Sequence, residues 1–204
     1  HLAQLDYESL AESRQAAQAI KSILGRRPSA AVRKLVATAT KAILTSDERH
    51  NTGIVGDTAR PIRKIALELF RIASNGRLRD FLKPSDFVSR DLFDMDFSGL
   101  DLRGLSFDNC FLACTTFEGS DLSGASFKGA TIRNVNFRSA TLRNADLTGA
   151  DWWNSLHLTK AQVRSVRKGT LARCPSTRDS LLMFVAARYA IPITAWDAEF
   201  QQQI

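Results

Sequence analysis

The middle of the chain places a large apolar residue at every fifth position, from Phe87 to Trp152. A helix repeats its buried face every 3.6 residues and a strand every two, so neither element produces this period. Glycine or asparagine usually follows two positions later, where a tight corner needs an unusual backbone conformation. The pattern predicts a solenoid in which each five-residue unit supplies one side and one corner. The predicted core positions are Phe87, Leu92, Phe97, Leu102, Phe107, Leu112, Phe117, Leu122, Phe127, Ile132, Phe137, Leu142, Leu147 and Trp152.

The order of residue types along these positions predicts how many sides each coil has. Phenylalanine and leucine alternate at the central position, so the composition repeats every ten residues. A four-sided coil of twenty residues would sort them into separate columns, whereas three sides would mix every column. The segment would then make about 3.5 coils and stand roughly 17 Å tall at the spacing of paired strands.

The motifs SDLSG, ASFKG and ATIRN, with ATLRN and ADLTG further along, share one five-residue pattern with the large apolar residue in the middle. On these motifs the segment from Ser85 to Asn154 resembles the pentapeptide-repeat family, although RDLFDMDF and NCFLACTTF depart from the pattern. The resemblance implies a right-handed quadrilateral β-helix whose central and minus-two residues point inward. It also implies two kinds of role: interaction modules of larger bacterial proteins, and mimics of duplex DNA that occupy type II topoisomerases.

The flanking sequences have helical rather than pentapeptide patterns. Ser29 is a suitable N-cap after Pro28, and Gly25 ends the preceding helix. The predicted helices are Leu5–Leu24, Ser29–Leu44, a third from Asp57 or Thr58 to Ser74 with Pro61 in its first turn, Thr159–Arg167 and Ser176–Ala190.

We therefore predict a mixed α and β fold with three parts. These are an N-terminal helical domain over 1–82, the β-helix over 83–155 and a C-terminal helical cap over 156–204. Helices at both ends would cover the core and ladder groups that a solenoid otherwise exposes. The first residue is histidine rather than methionine, so we expect the chain to be a fragment, a processed chain or one with a tag remnant.

The net charge of +7 is unevenly distributed. Residues 1–83 carry 15 basic and 8 acidic side chains, residues 84–152 carry 6 and 10, and residues 153–204 carry 7 and 3. The repeat is thus acidic between two basic ends, and its acids concentrate near Asp91 and Asp101. A short rod that changes sign along its length is a poor imitation of DNA, whose charges recur about every 1.7 Å. Basic helix faces are more often solvated than bound to nucleic acid, so nucleic acid is an unfavoured partner.

One side of the predicted coil differs from the others because it carries aromatic residues facing outward. Its candidate interaction residues are Phe93, Phe111, Arg133 and Trp153. Aromatic and arginine side chains are typical anchors of protein interfaces. The alternative is that a flanking helix covers this side. The predicted partner is another protein, and a second copy binding through this side or through the C-terminal helix is an alternative.

The sequence offers no catalytic arrangement, so we predict a non-enzyme without cofactor, metal or catalytic residues. Cys110 occupies an inward position, Cys114 a corner, and the pair lacks the second pair that a zinc site needs. His50 and His157 are expected at the surface, and Asp101 and Asp121 stack without forming an acid–base pair.

The predicted function is a non-enzymatic interaction or scaffold module. The alternatives are a gyrase-binding DNA mimic that protects against quinolones or toxins, and a nucleic-acid binder. Three cysteines suit a reducing compartment, so we expect a cytoplasmic protein, with a secreted effector as the alternative. The longest wholly apolar stretch, Leu181–Ala187, is far shorter than the roughly 20 residues of a membrane span.

Overall fold

A computed structural model of the chain describes residues 2–45, 56–151 and 155–167. It contains helices α1 (Leu2–Gly25), α2 (Ala30–Leu44), α3 (Gly56–Ala73) and α4 (Lys160–Ser165), and a 3-10 helix at Leu78–Asp80. These confirm four of the five predicted helices. The predicted helix Ser176–Ala190 lies outside the described residues, as do His50, Trp152 and Trp153.

The caps of α2 and α4 follow from local sequence. The Ser29 hydroxyl accepts a hydrogen bond from the Val32 amide at 3.4 Å, which satisfies one free donor of the first turn of α2. Thr159 and Gln162 form a capping box at the start of α4. Helix α3 begins slightly earlier than predicted, so Pro61 is its sixth residue rather than a first-turn residue. Its missing amide leaves the Asp57 carbonyl without the usual helical donor.

The repeat folds as a β-helix built from isolated bridges, and no extended strand is present among the described residues. Every bridge is parallel and joins residues twenty positions apart, such as Asp91 with Phe111 and Phe111 with Thr131. We call residues 87–106 the first coil, 107–126 the second and 127–146 the third. The backbone amides and carbonyls of adjacent coils pair at each bridge, as Leu92 with Phe111 at 2.9 Å.

The core consists of two stacked columns of phenylalanine that touch each other edge to face. Within a column the rings are nearly parallel, as Phe107 and Phe127 at 5.1 Å and 13°. Between columns they are nearly perpendicular, as Phe107 and Phe117 at 5.4 Å and 73°. Thirteen of the fourteen predicted core residues are at most 1% exposed, and the remaining one, Trp152, is not described.

Every corner from residue 89 to residue 149 has a left-handed backbone, whatever residue stands there. Glycine occupies six of these positions, but Ser89, Asp94, Cys114 and Ser139 adopt the same conformation with φ between 57° and 63°. Serine and cysteine avoid positive φ on their own, whereas aspartate tolerates it. The ladder and the packed core therefore fix the corner geometry more strongly than the corner residue does.

Helices cover both ends of this core. Phe70 on α3 is fully buried and belongs to the same continuous cluster as Phe87 and the repeat. At the other end Val163 and Val166 are buried against that cluster. The bridge between Asn136 and Leu156 also carries the ladder beyond the predicted last repeat residue.

Candidate interaction surface

The outward aromatic side, which we call the aromatic face, contains Phe93, Phe111, Arg133 and Trp153. In the structure the rings of Phe93 and Phe111 stack at 5.8 Å and 11°. The guanidinium carbon of Arg60, on α3, lies 4.4 Å from the centre of the Phe93 ring. Phe93 is therefore half-buried, whereas Phe111 is 44% exposed. A cation over an aromatic ring is attractive, so Arg60 holds the lower ring in place.

The upper part of the aromatic face is polar. Arg133 is exposed, and its Nε lies 3.2 Å from Oδ2 of Asp151. The other oxygen of Asp151 accepts a hydrogen bond from the Ile132 amide at 2.6 Å, in the place where a ladder carbonyl would accept. Trp153 lies outside the described residues. The described face thus offers one exposed ring above a stacked ring, with a cation further along the coils.

Helix α3 meets the lower edge of this face with further cations. Arg63 Nη1 donates to the backbone carbonyl of Asp91 at 2.8 Å, and Lys64 pairs with the Asp94 carboxylate. The two sequence-based alternatives were an open face and a face under a helix. The structure differs from both, because α3 covers the Phe93 end and leaves Phe111 exposed.

The acidic side chains in the first coil and just before it are largely paired within the protein. Arg71 Nη2 lies 3.4 Å from an Asp96 oxygen, and Lys41 Nζ lies 2.6 Å from Asp86. Burial raises the pKa of Asp96 less than the hydrogen bonds from Ser98 and the charge of Arg71 lower it, so the carboxyl is ionised at neutral pH.

These contacts affect how the acids of the first coil and the cations of α3 are interpreted. The first-coil acids face cations of the same chain, which leaves them less available to imitate the phosphates of DNA. The cations Arg63, Lys64 and Arg71 contact the first coil, and Lys64 is at the same time exposed to solvent.

Farther along the repeat the outward side chains become basic. Lys128 Nζ lies 3.5 Å from Asp146, and Arg138 and Arg143 farther along the chain are exposed. Burial opposes ionisation of Asp146, but hydrogen bonds from Thr148 and the charge of Lys128 outweigh it and lower the pKa. The two ends of the β-helix therefore differ in sign and in how their charges are paired.

Among the described residues, the thiol of Cys110 has a structural role. The Cys110 thiol is buried and donates to the Phe87 carbonyl at 2.7 Å, and burial raises its pKa to about 12. Such a thiol is not a nucleophile at neutral pH. Cys114 is an exposed corner residue. Arg103 separates the stacked carboxylates, with its Nε 2.8 Å from Asp101 and 3.5 Å from Asp121.

His157 is exposed at a left-handed position after the last bridge. Within the part of the chain that the structure describes, no three histidine, cysteine or acidic side chains gather in a way that could hold a metal ion. No helix of that part is both long enough and apolar enough to cross a bilayer.

Sequence reasoning missed the residues that close the two ends of the ladder. Arg63 and Arg71 each donate at 2.8 Å to a first-coil carbonyl that has no earlier coil to pair with. Gln162 Nε2 donates to the carbonyls of Phe137 and Ala140 at 2.7 and 2.8 Å. The Thr159–Gln162 spacing was a readable signal for the capping box. Nothing in the local sequence around α3 marks which arginines reach the coil.

Comparisons with known proteins agree with the repeat pattern. Residues 85–167, less than half of the chain, match a family model described as a pentapeptide repeat region. The search of curated proteins gave no match.

Three solved structures illustrate what the repeat is similar to. A pentapeptide repeat protein from the thylakoid lumen of Arabidopsis thaliana is 31% identical over 36% of this chain and 51% of its own, with a TM-score of 0.35. HetL of the cyanobacterium Nostoc, involved in heterocyst differentiation regulation, is 30% identical over 32% and 35%, with a TM-score of 0.17. QnrB1, a plasmid-mediated fluoroquinolone resistance protein, is 26% identical over 34% and 42%, with a TM-score of 0.20. The chain spans about half, or less, of the length of each.

Proposed function

Because residues 85–167 form a pentapeptide-repeat region, we propose that this chain is a non-enzymatic interaction module that binds another protein through its aromatic face. The surface consists of Phe93, Phe111, Arg133 and Trp153, and no residue has a catalytic role. The observation that carries the proposal is the exposure of Phe111, 44% of whose surface faces solvent while its ring is stacked on Phe93.

The geometry suits an anchor in a protein interface. An exposed phenylalanine that is already ordered loses little side-chain entropy on binding, so more of its burial appears as affinity. Arg60 holds Phe93 from below, and the Phe93 ring in turn supports Phe111. Arg133, paired with Asp151, supplies a polar rim beside the aromatic anchor.

The proposal includes an architecture. We assign 1–82 to a helical domain, 83–155 to a right-handed quadrilateral β-helix of about 3.5 coils, and 156–204 to a C-terminal helical cap. The twenty-residue separation of all bridge partners supports the four-sided coil. In this arrangement the β-helix is a rigid rod that presents the aromatic face, in the cytoplasm or within a secreted effector.

The test is a capture experiment from the native host with three forms of the full chain. Phe111→Ser removes the anchor, and Arg138→Ser changes an exposed residue on another side of the coil as a matched control. We expect a protein retained by the wild type and by Arg138→Ser and lost with Phe111→Ser, while thermal unfolding stays unchanged. Equal retention by all three forms contradicts the proposal that the partner binds through the aromatic face. Concentration-dependent dimerisation that Phe111→Ser abolishes identifies a second copy as the occupant.

The gyrase-binding alternative rests on the acids in the first coil and just before it, and it has its own assay. Because Asp86, Asp94 and Asp96 pair with Lys41, Lys64 and Arg71, we expect no protection of gyrase from a quinolone in a supercoiling assay. Protection of gyrase would contradict the proposed interaction module and support the DNA mimic. Binding to duplex DNA with a steep salt dependence in a mobility assay would favour the nucleic-acid alternative.

A further inference from the structure

The turn that ends α3 contains the single asparagine–glycine sequence of the chain, Asn75–Gly76. The backbone nitrogen of the residue after an asparagine can attack the side-chain carboxamide, and glycine hinders this attack least because it has no side chain. A bond then forms between the Gly76 nitrogen and Cγ of Asn75. The amide proton is lost to solvent, and the carboxamide nitrogen takes up a proton and leaves as ammonia. Water opens the resulting succinimide at either carbonyl and gives aspartate or isoaspartate.

In the folded chain the attacking nitrogen is already engaged in the cap of α3. The Gly76 amide donates to the Arg71 carbonyl at 2.9 Å, and the Asn75 amide donates to the Ile72 carbonyl at 3.3 Å. This pair of bonds is typical of a helix that ends with a left-handed residue, and φ is 52° at Asn75 and 75° at Gly76. The Gly76 nitrogen must lose both its proton and this hydrogen bond before it can attack, so the reaction requires an opened turn.

The attacked carboxamide is held by the neighbouring helix. Arg33 Nη1, on α2, donates to Oδ1 of Asn75 at 2.9 Å and to the Ile72 carbonyl at 3.1 Å. We call Arg33, Ile72, Asn75 and Gly76 the α3 exit. Hydrogen bonds from a charged donor are stronger than neutral ones, so opening the α3 exit costs this contact in addition to the helix cap.

The α3 exit is also the point where the chain passes from the helices to the β-helix. The Gly76 carbonyl accepts a hydrogen bond from the Asp101 amide of the first coil at 3.1 Å. Isoaspartate would add one atom to the main chain here, so the Gly76 amide and carbonyl would no longer fit both of their partners. Aspartate keeps the main chain and places a carboxylate next to Arg33, where a charge-assisted hydrogen bond replaces the present one.

Three other asparagines provide a comparison within the same chain. Asn109, Asn134 and Asn144 occupy corners of the β-helix with φ between 55° and 57°, and the amides that follow them are also hydrogen-bonded. Their next residues are cysteine, valine and alanine, each with a β-carbon. They therefore share the backbone conformation of Asn75 and differ in the residue that carries the attacking nitrogen.

We propose that Asn75 is a deamidation site whose reaction is controlled by opening of the α3 exit. The closed exit holds both reacting groups, and the reaction proceeds from the opened one. The isoaspartate product prevents the exit from closing again, so a transient opening becomes a permanent covalent change, whereas the aspartate product closes on Arg33. This inference does not depend on the aromatic face.

The first test compares the folded full chain with the same chain unfolded in urea at neutral pH. Trypsin releases residues 72–77 as one peptide, in which chromatography and mass spectrometry distinguish asparagine, aspartate and isoaspartate. We expect Asn75 to react at least about tenfold more slowly in the folded chain, by the same factor that protects the Gly76 amide from hydrogen exchange, because both report one opening. Equal rates in the two states, or two factors that disagree, contradict the proposal.

The unfolded chain also tests the chemistry of the site. There Asn75 should react faster than Asn109, Asn134 and Asn144, because the fold no longer protects it and glycine follows it. If all four react at one rate, the sequence Asn75–Gly76 is not a preferred site and the proposal fails.

The second test removes the contact from α2. Arg33→Met keeps the aliphatic stem without the donor, and Lys34→Met, exposed on the same helix, is the control. We expect the folded Arg33→Met chain to deamidate at Asn75 about tenfold faster than the wild type, which corresponds to an exit that opens about 1.4 kcal/mol more easily. The Lys34→Met rate should stay unchanged. A slower reaction in Arg33→Met would show that the guanidinium assists the attack by stabilising the developing oxyanion, and an unchanged rate would show that it has no control; either overturns the proposal.

The two products give a further measurement that does not need Arg33→Met to fold. Asn75→Asp should unfold thermally at the temperature of the wild type or above it. In an aged sample the fraction that contains isoaspartate should unfold at a lower temperature than Asn75→Asp. Equal unfolding temperatures would contradict the permanent opening of the α3 exit.

Discussion

The two ends of the β-helix close the same open ladder with different chemistry. At the first coil the donors are charged: Arg63 and Arg71 of α3, 28 and 25 residues upstream, donate to the carbonyls of Asp91 and Asp96. At the last coil the donor is neutral: Gln162, 25 and 22 residues downstream, donates to the carbonyls of Phe137 and Ala140. The first closure depends on how α3 packs against the coil, whereas the second depends on one short helix with its own capping box.

The contrast follows from the charge of each coil. The first coil carries carboxylates next to its open carbonyls, so cationic donors satisfy both at once, as Arg71 does with the carbonyl and carboxylate of Asp96. At the last coil Arg138 and Arg143 are exposed beside Phe137 and Ala140, so a cation in the place of Gln162 would face like charges, while Arg167 at this end pairs with Asp146. A neutral amide provides donors without that repulsion.

The largest expected difference between the ends is in buried volume. Phe70 is fully buried and meets Phe81 edge to face at 6.0 Å, so Phe70→Ala should lower the free energy of unfolding by about 3–5 kcal/mol. Val163→Ala at the other end removes less, about 2 kcal/mol. Urea denaturation measures both, with Ile23→Ala, 53% exposed on α1, as the control. Equal losses would mean that the two caps contribute the same burial.

The guanidinium contacts of the first coil should rank next. Arg63→Met and Arg71→Met keep the aliphatic stems but remove the donors to the Asp91 and Asp96 carbonyls. We expect a loss of about 1–2 kcal/mol for each, at the lower end for charged donors because the sites are partly exposed. Arg14→Met, exposed on α1, is the control in the same denaturation measurement. A loss no greater than that of Arg14→Met would mean that these donors to the carbonyls do not stabilise the fold.

These contacts also mark what the sequence could and could not predict. The five-residue period, the phenylalanine columns and the caps at Ser29 and Thr159 are local or periodic, so they are readable from spacing alone. The contact of Arg71 with Asp96 joins residues on different elements, and its sequence signal is only opposite charge. At the Cys114 corner the residue type alone would predict the wrong conformation, because the repeat imposes a positive φ that cysteine does not favour.

The candidate surface divides in the same way. The outward register of Phe93 and Phe111 followed from the four-sided coil, and their stacking is consistent with it. The position of Arg60 over Phe93 depends on how α3 packs across the first coil, which no local pattern encodes.

A single substitution separates the two roles of Gln162. Gln162→Glu keeps an oxygen to accept from the Thr159 amide, as the present one does at 2.8 Å, but removes the donors to Phe137 and Ala140. We expect a loss of about 2 kcal/mol, because two carbonyls then face a carboxylate. Thr159→Ala, which removes the helix cap, should cost about 1 kcal/mol. If Gln162→Glu costs less than Thr159→Ala in urea denaturation, the last coil does not depend on the amide.

The smallest expected effect is the change of the free energy of unfolding with acid pH. It differs between the two ends because their carboxylates have different cationic partners. The pKa values of Asp96 and Asp146 lie below the ordinary 3.8, so the unfolded chain binds more protons than the folded one as the pH falls. Their stabilisation is therefore present above about pH 4 and is lost as the pH falls through the folded pKa values. Arg71→Met should weaken this acid sensitivity at Asp96 and leave that of Asp146, whose partners are Lys128 and Arg167, unchanged. NMR titration of the two carboxyls measures each pKa directly. An unchanged pKa of Asp96 in Arg71→Met would mean that the hydrogen bonds from Ser98 alone hold it low, and that α3 does not control the ionisation of Asp96.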